Sequence, residues 1–335
     1  MQFARHFWFA SVCVLGLFVS ASAVQAQPTK LLPNDTEMIV TVNLQQILSS
    51  EVVKANKAIF EFAKGMAAEK LTEKGADKFF KKAGFDPFKD LTSITVAIPG
   101  GRDPGEGLIV LEGNFDADKI EAAVTDAGEK VKVTTIASVK AFEVTAKDDK
   151  TVYVGILDAK TMIACVSKAD FTEAVGRFKG TKTANFKADT LKSLLPTVNS
   201  KQSLSIVATS NLLVRLAENN PNAESVQAKM AIEGLKKIEG FSAGITMQKD
   251  IDFKVGVNTK DKETASKFAA FSDKFIQDAR GKVAKLADQN EKLAPAVAVL
   301  QTIRVSAQGS NLVVTGQVTF ETLEKLLSNL PIPGN

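Results

Sequence analysis

The residues of this chain that could do chemistry are few, and the clearest pattern among them is a G-x-S-x-G sequence at residues 240–244. In hydrolases this pattern exposes a serine at a sharp strand-to-helix turn, where a histidine deprotonates it. Here Ser242 is followed by residues 245–247, whose alternation of apolar and polar types is typical of a strand. The single histidine, His6, lies in a segment that we expect to be removed. We therefore predict that Ser242 is structural.

Paired carboxylates are the second candidate, because two of them can act as acid and base or hold a metal ion. Asp116 with Asp118 and Asp148 with Asp149 form such pairs, but within each pair the residues come from one segment. We predict that Asp116 caps a helix and that the second pair forms a turn. The sequence predicts no metal site and no cofactor. The alternative is a hydrolytic enzyme whose carboxylates, or Ser and Lys, come from distant segments, with Tyr153 as the only tyrosine available.

A glycine-rich stretch at residues 99–107 could cradle a phosphate. It lacks the Gly-Lys-Ser/Thr ending of a phosphate-binding loop, and it precedes a strand instead of a helix. We predict a hairpin loop in which Arg102 is the only residue of chemical interest.

Residues 1–26 have the layout of a secretory signal peptide, with a basic start, an apolar run over residues 7–19 and small residues before Ala26. We predict cleavage after Ala26 and export to the periplasm or the extracellular space. The run is shorter than the roughly 20 residues that span a bilayer, and no later segment could span one. We therefore predict no membrane span after cleavage, with retention as an anchor as the alternative. Cleavage leaves Cys165, in an apolar strand-like run, without a disulfide partner, and we predict that its thiol is buried and inert.

The charge pattern excludes one class of partner. The chain has 42 basic and 38 acidic residues and a net charge of +4, and the two signs are interleaved. A nucleic-acid-binding protein needs a concentrated basic stripe, so we predict no nucleic-acid partner. The nearest approach to a stripe is a solvated helix face at Lys70, Lys74, Lys78 and Lys82.

These residues are positioned by a fold that we predict to be α+β, with two related repeats, each a mostly antiparallel sheet with helices packed on one face. The predicted repeats cover residues 34–182 and 198–330, joined by a linker at 183–197. Each repeat reads as a strand, helices, a hairpin, a helix, further strands and a closing helix. An extra strand pair at residues 131–147 occurs in the first repeat only.

Two periodic patterns predict which side chains form the core of the second repeat. A helix predicted from Asp261 to about Leu293 has apolar residues at helical spacing, which we expect to face the core. These are Ala265, Phe268, Phe271, Phe275, Ala279, Val283 and Leu286. In the hairpin strand at residues 240–248, we expect Phe241 and its alternate neighbours to pack against helices and Ser242 and its neighbours to meet water.

The chain resembles a type of secreted bacterial protein of unknown function. The resemblance lies in residues 32–36 (LPNDT) ahead of the first strand, residues 41–44 (TVNL) leading into the first helix, and residues 84–88 (GFDPF) before Asp90 and Leu91. It spans most of the mature chain and implies tandem α+β repeats and export. It brings no catalytic residue with it.

One surface of the first repeat is the candidate binding site. Ile109, Leu111, Tyr153 and Leu157 alternate with other apolar residues, so that both faces of their strands are apolar. We expect this surface to be buried against the other repeat, an unidentified protein partner or an apolar ligand. The sequence thus predicts an exported, non-enzymatic protein that acts by binding or as a structural component of the cell envelope. The enzyme described above and a carrier of an apolar ligand are the alternatives.

Overall fold

The computed structural model describes residues 28–57, 60–61, 64–66, 68–69, 76–126, 131–145, 150–198, 200–220 and 223–328. The predictions for the signal peptide, for the turn at Asp148 and Asp149, and for Lys70 and Lys74 lie outside these ranges. The chain divides into two compact units. Unit 1 comprises the chain up to Ser49 together with Asn56–Lys192, and unit 2 comprises Ser50–Ala55 and the chain from Ser193 onward.

The strands follow the predicted order along the chain. They are β1 Thr36–Asn43, β2 Leu91–Pro99, β3 Leu108–Gly113, β4 Val131–Ile136, β5 Val139–Thr145, β6 Thr151–Asp158, β7 Thr161–Cys165, β8 Leu204–Thr209, β9 Ile238–Met247, β10 Ile251–Thr259, β11 Arg304–Gln308 and β12 Asn311–Val318.

The helices lie between these strands, except the last, which follows β12. They are α1 Leu44–Ser49, α2 Glu51–Ala55, α3 Ala76–Ala83, α4 Pro87–Asp90, α5 Ala117–Thr125, α6 Lys168–Phe178, α7 Asp189–Leu194, α8 Ser210–Glu218, α9 Val226–Leu235, α10 Lys262–Ala287, α11 Ala294–Thr302 and α12 Phe320–Ser328. Among the described residues, no helix combines the length and the apolar composition needed to cross a bilayer.

Unit 1 is built on an antiparallel sheet with the strand order β1-β2-β3-β7-β6-β5-β4. One face contains fully buried side chains, which are Ala97, Leu108, Val110 and Ile163. Helix α6 adds the fully buried Phe171, whose ring lies where a Cβ at Gly155 would be. The other face is also buried in part, since Ile94 is 1% exposed and Phe142 is 3% exposed. Unit 1 therefore has a well-packed core.

Short polar side chains fix where the helices of unit 1 begin. Ser167 accepts a hydrogen bond from the backbone N–H of Asp170 at 3.2 Å at the start of α6. Asp86 does the same for Phe88 at 2.9 Å, and Pro87 occupies the first turn of α4. A side chain that satisfies a free N–H and a proline at the first turn are the usual helix-start signals.

Unit 2 is built on an antiparallel sheet with the strand order β8-β9-β10-β12-β11. The same order appears in unit 1 as β1-β2-β3-β7-β6, and the β4–β5 hairpin is the predicted extra strand pair. The α+β class with antiparallel sheets is confirmed. That the two units are repeats of one another stays a prediction.

Helix α10 ends earlier than expected. Asp261 caps its start, accepting a hydrogen bond from the N–H of Thr264 at 2.7 Å, but the helix stops at Ala287 instead of reaching Leu293. Asn290 then caps a short 3-10 turn, and the separate helix α11 follows, with Pro295 in its first turn. The polar residues 288–290 break the helix, and a proline at the first turn starts the next one.

The segment predicted as a linker, residues 183–197, is folded. It contains α7, whose Leu191 is fully buried, and Phe186 and Leu194 are also buried. The backbone N–H of Asn185 donates to Asn34 Oδ1 at 2.9 Å. These three buried apolar side chains anchor the segment to the fold, while most of its other residues stay exposed.

Candidate functional site

The register of the sheet separates the four residues of the predicted binding surface. Ile109 lies opposite Ala164 and Leu111 opposite Met162, whereas Tyr153 lies opposite Cys165, one position out of step. Because side chains alternate between faces along a strand, Tyr153 projects from the face opposite to that of Ile109 and Leu111. Leu157 lies at an irregularity between Ile156 and Asp158. The expectation that these four residues share one face is wrong, and their role in binding stays a prediction.

Ser242 has no catalytic setting. It lies within β9, as the alternation predicted, and its side chain is 4% exposed. It lies opposite Gly256 of β10, where a Cβ would overlap its hydroxyl. The expectation that Ser242 meets water is therefore wrong, because small residues on both strands let this face pack closely. Phe241, on the other face, is only half-buried.

Cys165 is buried and free, as predicted. Burial and the charge of Asp170 raise the pKa of its thiol to about 12. Its Sγ lies 3.3 Å from the carbonyl oxygen of Ser167. A thiol nucleophile acts as a thiolate, so this cysteine is inert at neutral pH.

The carboxylate Asp116 is used by the fold. It accepts a hydrogen bond from the backbone N–H of Lys119 at 3.1 Å and pairs with the Lys119 ammonium at 2.8 Å. The hydrogen bond to Lys119 lowers the pKa of Asp116, which therefore stays ionised and is unsuited to act as a general acid. Within the ranges that the structure describes, no three His, Cys, Asp or Glu side chains form a group that could hold a metal ion.

Arg102 joins separate segments of unit 1. Its guanidinium donates to Asp170 of α6 at 2.6 Å and to Asp35, just before β1, at 3.1 Å. The loop between β2 and β3 is thereby tied to two other elements. These charge-assisted hydrogen bonds hold the loop in place.

An open pocket of about 450 Å³ lies in unit 1 at the end of α3. The rings of Phe85 and Phe115 form one wall and stack at a centroid distance of 5.7 Å. The polar groups at its rim already have partners, since the Lys160 ammonium donates to Asn114 Oδ1 and Asp116 caps α5. The pocket has no convergent set of free polar groups.

One exposed apolar feature of unit 2 is a line of side chains on α10 that we call the α10 strip: Phe271, Phe275 and Leu286. Their exposed fractions are 71%, 65% and 53%. Spacings of four and eleven residues place all three within about 60° of one another around the helix. Large apolar side chains in solvent are informative when they cluster, and we take the strip as the candidate functional site.

The orientation of α10 explains why the strip is exposed. The helix packs against β10, β11, β12 and α11 through a side that includes the fully buried Ala265 and the half-buried Ala284. On that side Arg280 donates from Nε to the carbonyl oxygen of Leu300 at 2.9 Å and from Nη2 to that of Ile303 at 2.7 Å. Small residues allow close packing and the arginine fixes the rotation, so the bulky rings project outward.

Comparisons with known proteins give a distant likeness of fold. Three crystal forms of TP0453 match, with TM-scores of 0.46, 0.47 and 0.43 at 8%, 8% and 7% sequence identity. Each match covers 91% of this chain and 98–99% of the other chain. No family model matches the sequence. No curated protein matches it either.

Sequence reasoning found the residues of the α10 strip but placed them in the core. The period of the apolar residues was correct, and it gives a stripe that extends from Ala265 through Phe271 to Leu286. The stripe is wider than the surface that the sheet covers. The signal that could have shown this is Arg280, which lies on the side of α10 opposite the rings. Its guanidinium has only donors, so that side must face hydrogen-bond acceptors of the fold, and the rings must then face away.

Proposed function

We propose that this protein is an exported, non-enzymatic binding protein of the cell envelope, which acts through the α10 strip. The observation that carries the proposal is the exposure of Phe271, Phe275 and Leu286 on one side of a single helix. Removing such side chains from water is favourable by about 25 cal/mol per Å² of apolar area. A surface that can bury them gains this free energy, and the fold itself does not.

The absence of a catalytic role is supported by what the reactive groups do. Ser242 and Cys165 are buried, and Asp116 caps a helix. Export is supported by the layout of residues 1–26, which precede the described part of the chain.

Binding of an apolar fluorescent dye to the folded chain 27–335 tests the proposal. The double variant Phe271→Ser/Phe275→Ser should lose most of the dye binding, because both rings lie in solvent and little else on the helix replaces them. The matched control is Ala270→Ser, which changes an exposed residue of the same helix outside the strip. Circular dichroism should be unchanged in both variants. Equal dye binding by the wild type and the double variant would contradict the proposal.

A further inference from the structure

The charges beside the α10 strip are uneven. Lys267, Lys274, Lys282 and Lys285 are all exposed, and their spacings place them in the same stripe of the helix as the strip and at its border. The only acidic residue of that stripe is Asp278. Glu263 pairs with Lys267 at 2.6 Å, but Lys274, Lys282 and Lys285 form no ion pair with a described residue. Lys267, Lys274 and Lys285 thus form a cationic border on one side of the apolar line, and Lys282 lies within the line, between Phe275 and Leu286.

A second exposed apolar pair in unit 2 lacks such a border. Val226 and Met230 of α9 are 69% and 71% exposed, as much as the rings of the strip. The only lysine of α9, Lys229, pairs with Glu224 at 2.8 Å, and the residue after the helix is also paired. Lys236 pairs with Glu233 at 3.1 Å. The two sites are thus equally exposed but differ in the charge around them. Comparing their binding separates the contribution of apolar burial from that of the lysines.

We propose that the α10 strip docks onto an anionic lipid surface, with Phe271, Phe275 and Leu286 entering the interface and the lysines lying among the headgroups. This inference rests on the proposed function. A helix with an apolar side that contains Phe and Leu, bordered by lysines, is suited to lie in the plane of such an interface. From Phe271 to Leu286 the strip is about 22 Å long, and it lies on a convex helix, which a flat and fluid surface can cover along its whole length.

A second copy of the chain fits the strip less well. Self-pairing about a two-fold axis near Asp278 would place Lys274 of one copy opposite Lys282 of the other. Like charges that face each other across an interface disfavour association. Negative headgroups instead pair with each of these lysines.

Co-flotation of the chain 27–335 with lipid vesicles tests the inference, and omitting residues 1–26 removes a competing apolar segment. One vesicle type is pure phosphatidylcholine, and the other contains about 30% phosphatidylglycerol to supply negative charge. We expect binding to the anionic vesicles to be at least about tenfold stronger, and to weaken as salt is added.

Three variants identify the groups responsible. Phe271→Ser/Phe275→Ser should lose binding to both vesicle types. Lys274→Gln/Lys282→Gln/Lys285→Gln should reduce the preference for anionic vesicles to about twofold or less. Val226→Ser/Met230→Ser, the matched control on α9, should bind as the wild type does. Unfolding midpoints in urea verify that each variant is folded.

Each other outcome overturns the inference in a recognisable way. Equal binding to both vesicle types would show that the cationic border plays no part. If the wild type binds the dye but not the vesicles, the lipid surface is rejected and the proposed function stands. If the wild type binds neither, the inference and the proposed function are both rejected. Concentration-dependent dimers in sedimentation equilibrium that Phe271→Ser/Phe275→Ser abolishes, without vesicle binding, would assign the strip to a second copy of the chain.

Discussion

Strands β3 and β7 of unit 1 occupy the same places in their sheet as β10 and β12 occupy in unit 2, yet their side chains are packed differently. The paired residues Val110 and Ile163 of unit 1 are fully buried. The paired residues Val255 and Val314 of unit 2 stay partly exposed. The order of strands therefore does not determine how completely a sheet is covered.

The two sheets differ in burial because the helices packed on them present different side chains. Helix α6 turns the ring of Phe171 onto the sheet at Gly155, where the missing side chain leaves room for it. Helix α10 packs through alanines and directs Phe271 and Phe275 into solvent. The ring of Phe171 is fully buried in unit 1, whereas the rings of Phe271 and Phe275 in unit 2 lie in solvent, as the proposed function requires.

Replacing a phenylalanine by alanine in each of the two helices should show this difference as a difference in stability. Phe171→Ala should destabilise unit 1 by about 3–5 kcal/mol, because it removes a fully buried ring and leaves a cavity. Phe275→Ala, at a ring that is 65% exposed, should change stability by no more than about 0.5 kcal/mol. Urea unfolding followed by circular dichroism measures both. Tyrosine fluorescence reports unit 1 specifically, since Tyr153 on β6 is the only tyrosine and the chain 27–335 has no tryptophan.

A loss of several kcal/mol for Phe275→Ala would show that the ring of Phe275 is buried in solution. In that case the contrast between the helices, and the proposed function with it, would be wrong.

The labelling rate of the Cys165 thiol measures how well the core of unit 1 is protected from solvent. Because burial raises the pKa of its thiol to about 12, the thiolate is scarce at pH 8. Labelling by a thiol reagent should be at least about a hundredfold slower in the folded chain 27–335 than in denaturing urea. Phe171→Ala should speed labelling and Phe275→Ala should not. Fast labelling of the folded wild type would contradict the tight core of unit 1.

Two glycines, one in each unit, test the same difference in packing with smaller expected effects. Gly155→Ala places a methyl group on the ring of Phe171 and should destabilise unit 1 by about 1–3 kcal/mol. Gly281→Ala is the matched control on α10, where a Cβ meets nothing within 4 Å. It should stabilise unit 2 by about 0.5–1 kcal/mol, because alanine is the better helix former. If both variants behaved alike in urea unfolding, the close contact at Gly155 would not exist.

Much of the fold could be predicted because its signals are local. The alternation in residues 91–98 and the cap at Asp116 each act within a few residues, and both are found in the structure. The break at residues 288–290 is also local, but the apolar content of the following segment concealed it. Pro295, which lies in the first turn of α11, was the signal that could have shown it.

The candidate site could not be placed from sequence because exposure depends on what covers a face. The period of Phe271 and Phe275 gives their common side of the helix, and the amount of sheet beneath it is a tertiary property. Likewise the separation of Tyr153 from Ile109 depends on the register between β3, β7 and β6, which no single strand contains.

The smallest effect that we expect concerns a buried carboxylate in the core of unit 1. Glu112 on β3 is 7% exposed, and Ser93 Oγ donates to its Oε2 at 2.5 Å. Burial raises the pKa of Glu112, and the hydrogen bond from Ser93 opposes this in part. Below the pKa of the unfolded chain, about 4.3, both states are protonated and burial of the charge has no cost.

As the pH rises past that value, the unfolded chain loses the proton first, so the stability of unit 1 falls until the folded carboxyl has also ionised. Glu112→Gln keeps an acceptor for Ser93 and has no charge to bury. Its unfolding midpoint at pH 7, followed by Tyr153 fluorescence, should therefore exceed that of the wild type, and the difference should vanish near pH 4. Ser93→Ala should deepen the fall, because it removes the donor that stabilises the carboxylate. A wild type whose stability rises between pH 4 and pH 7 by as much as that of Glu112→Gln would show that the Glu112 carboxylate is hydrated, and that the core of unit 1 is as open there as the helix side of unit 2.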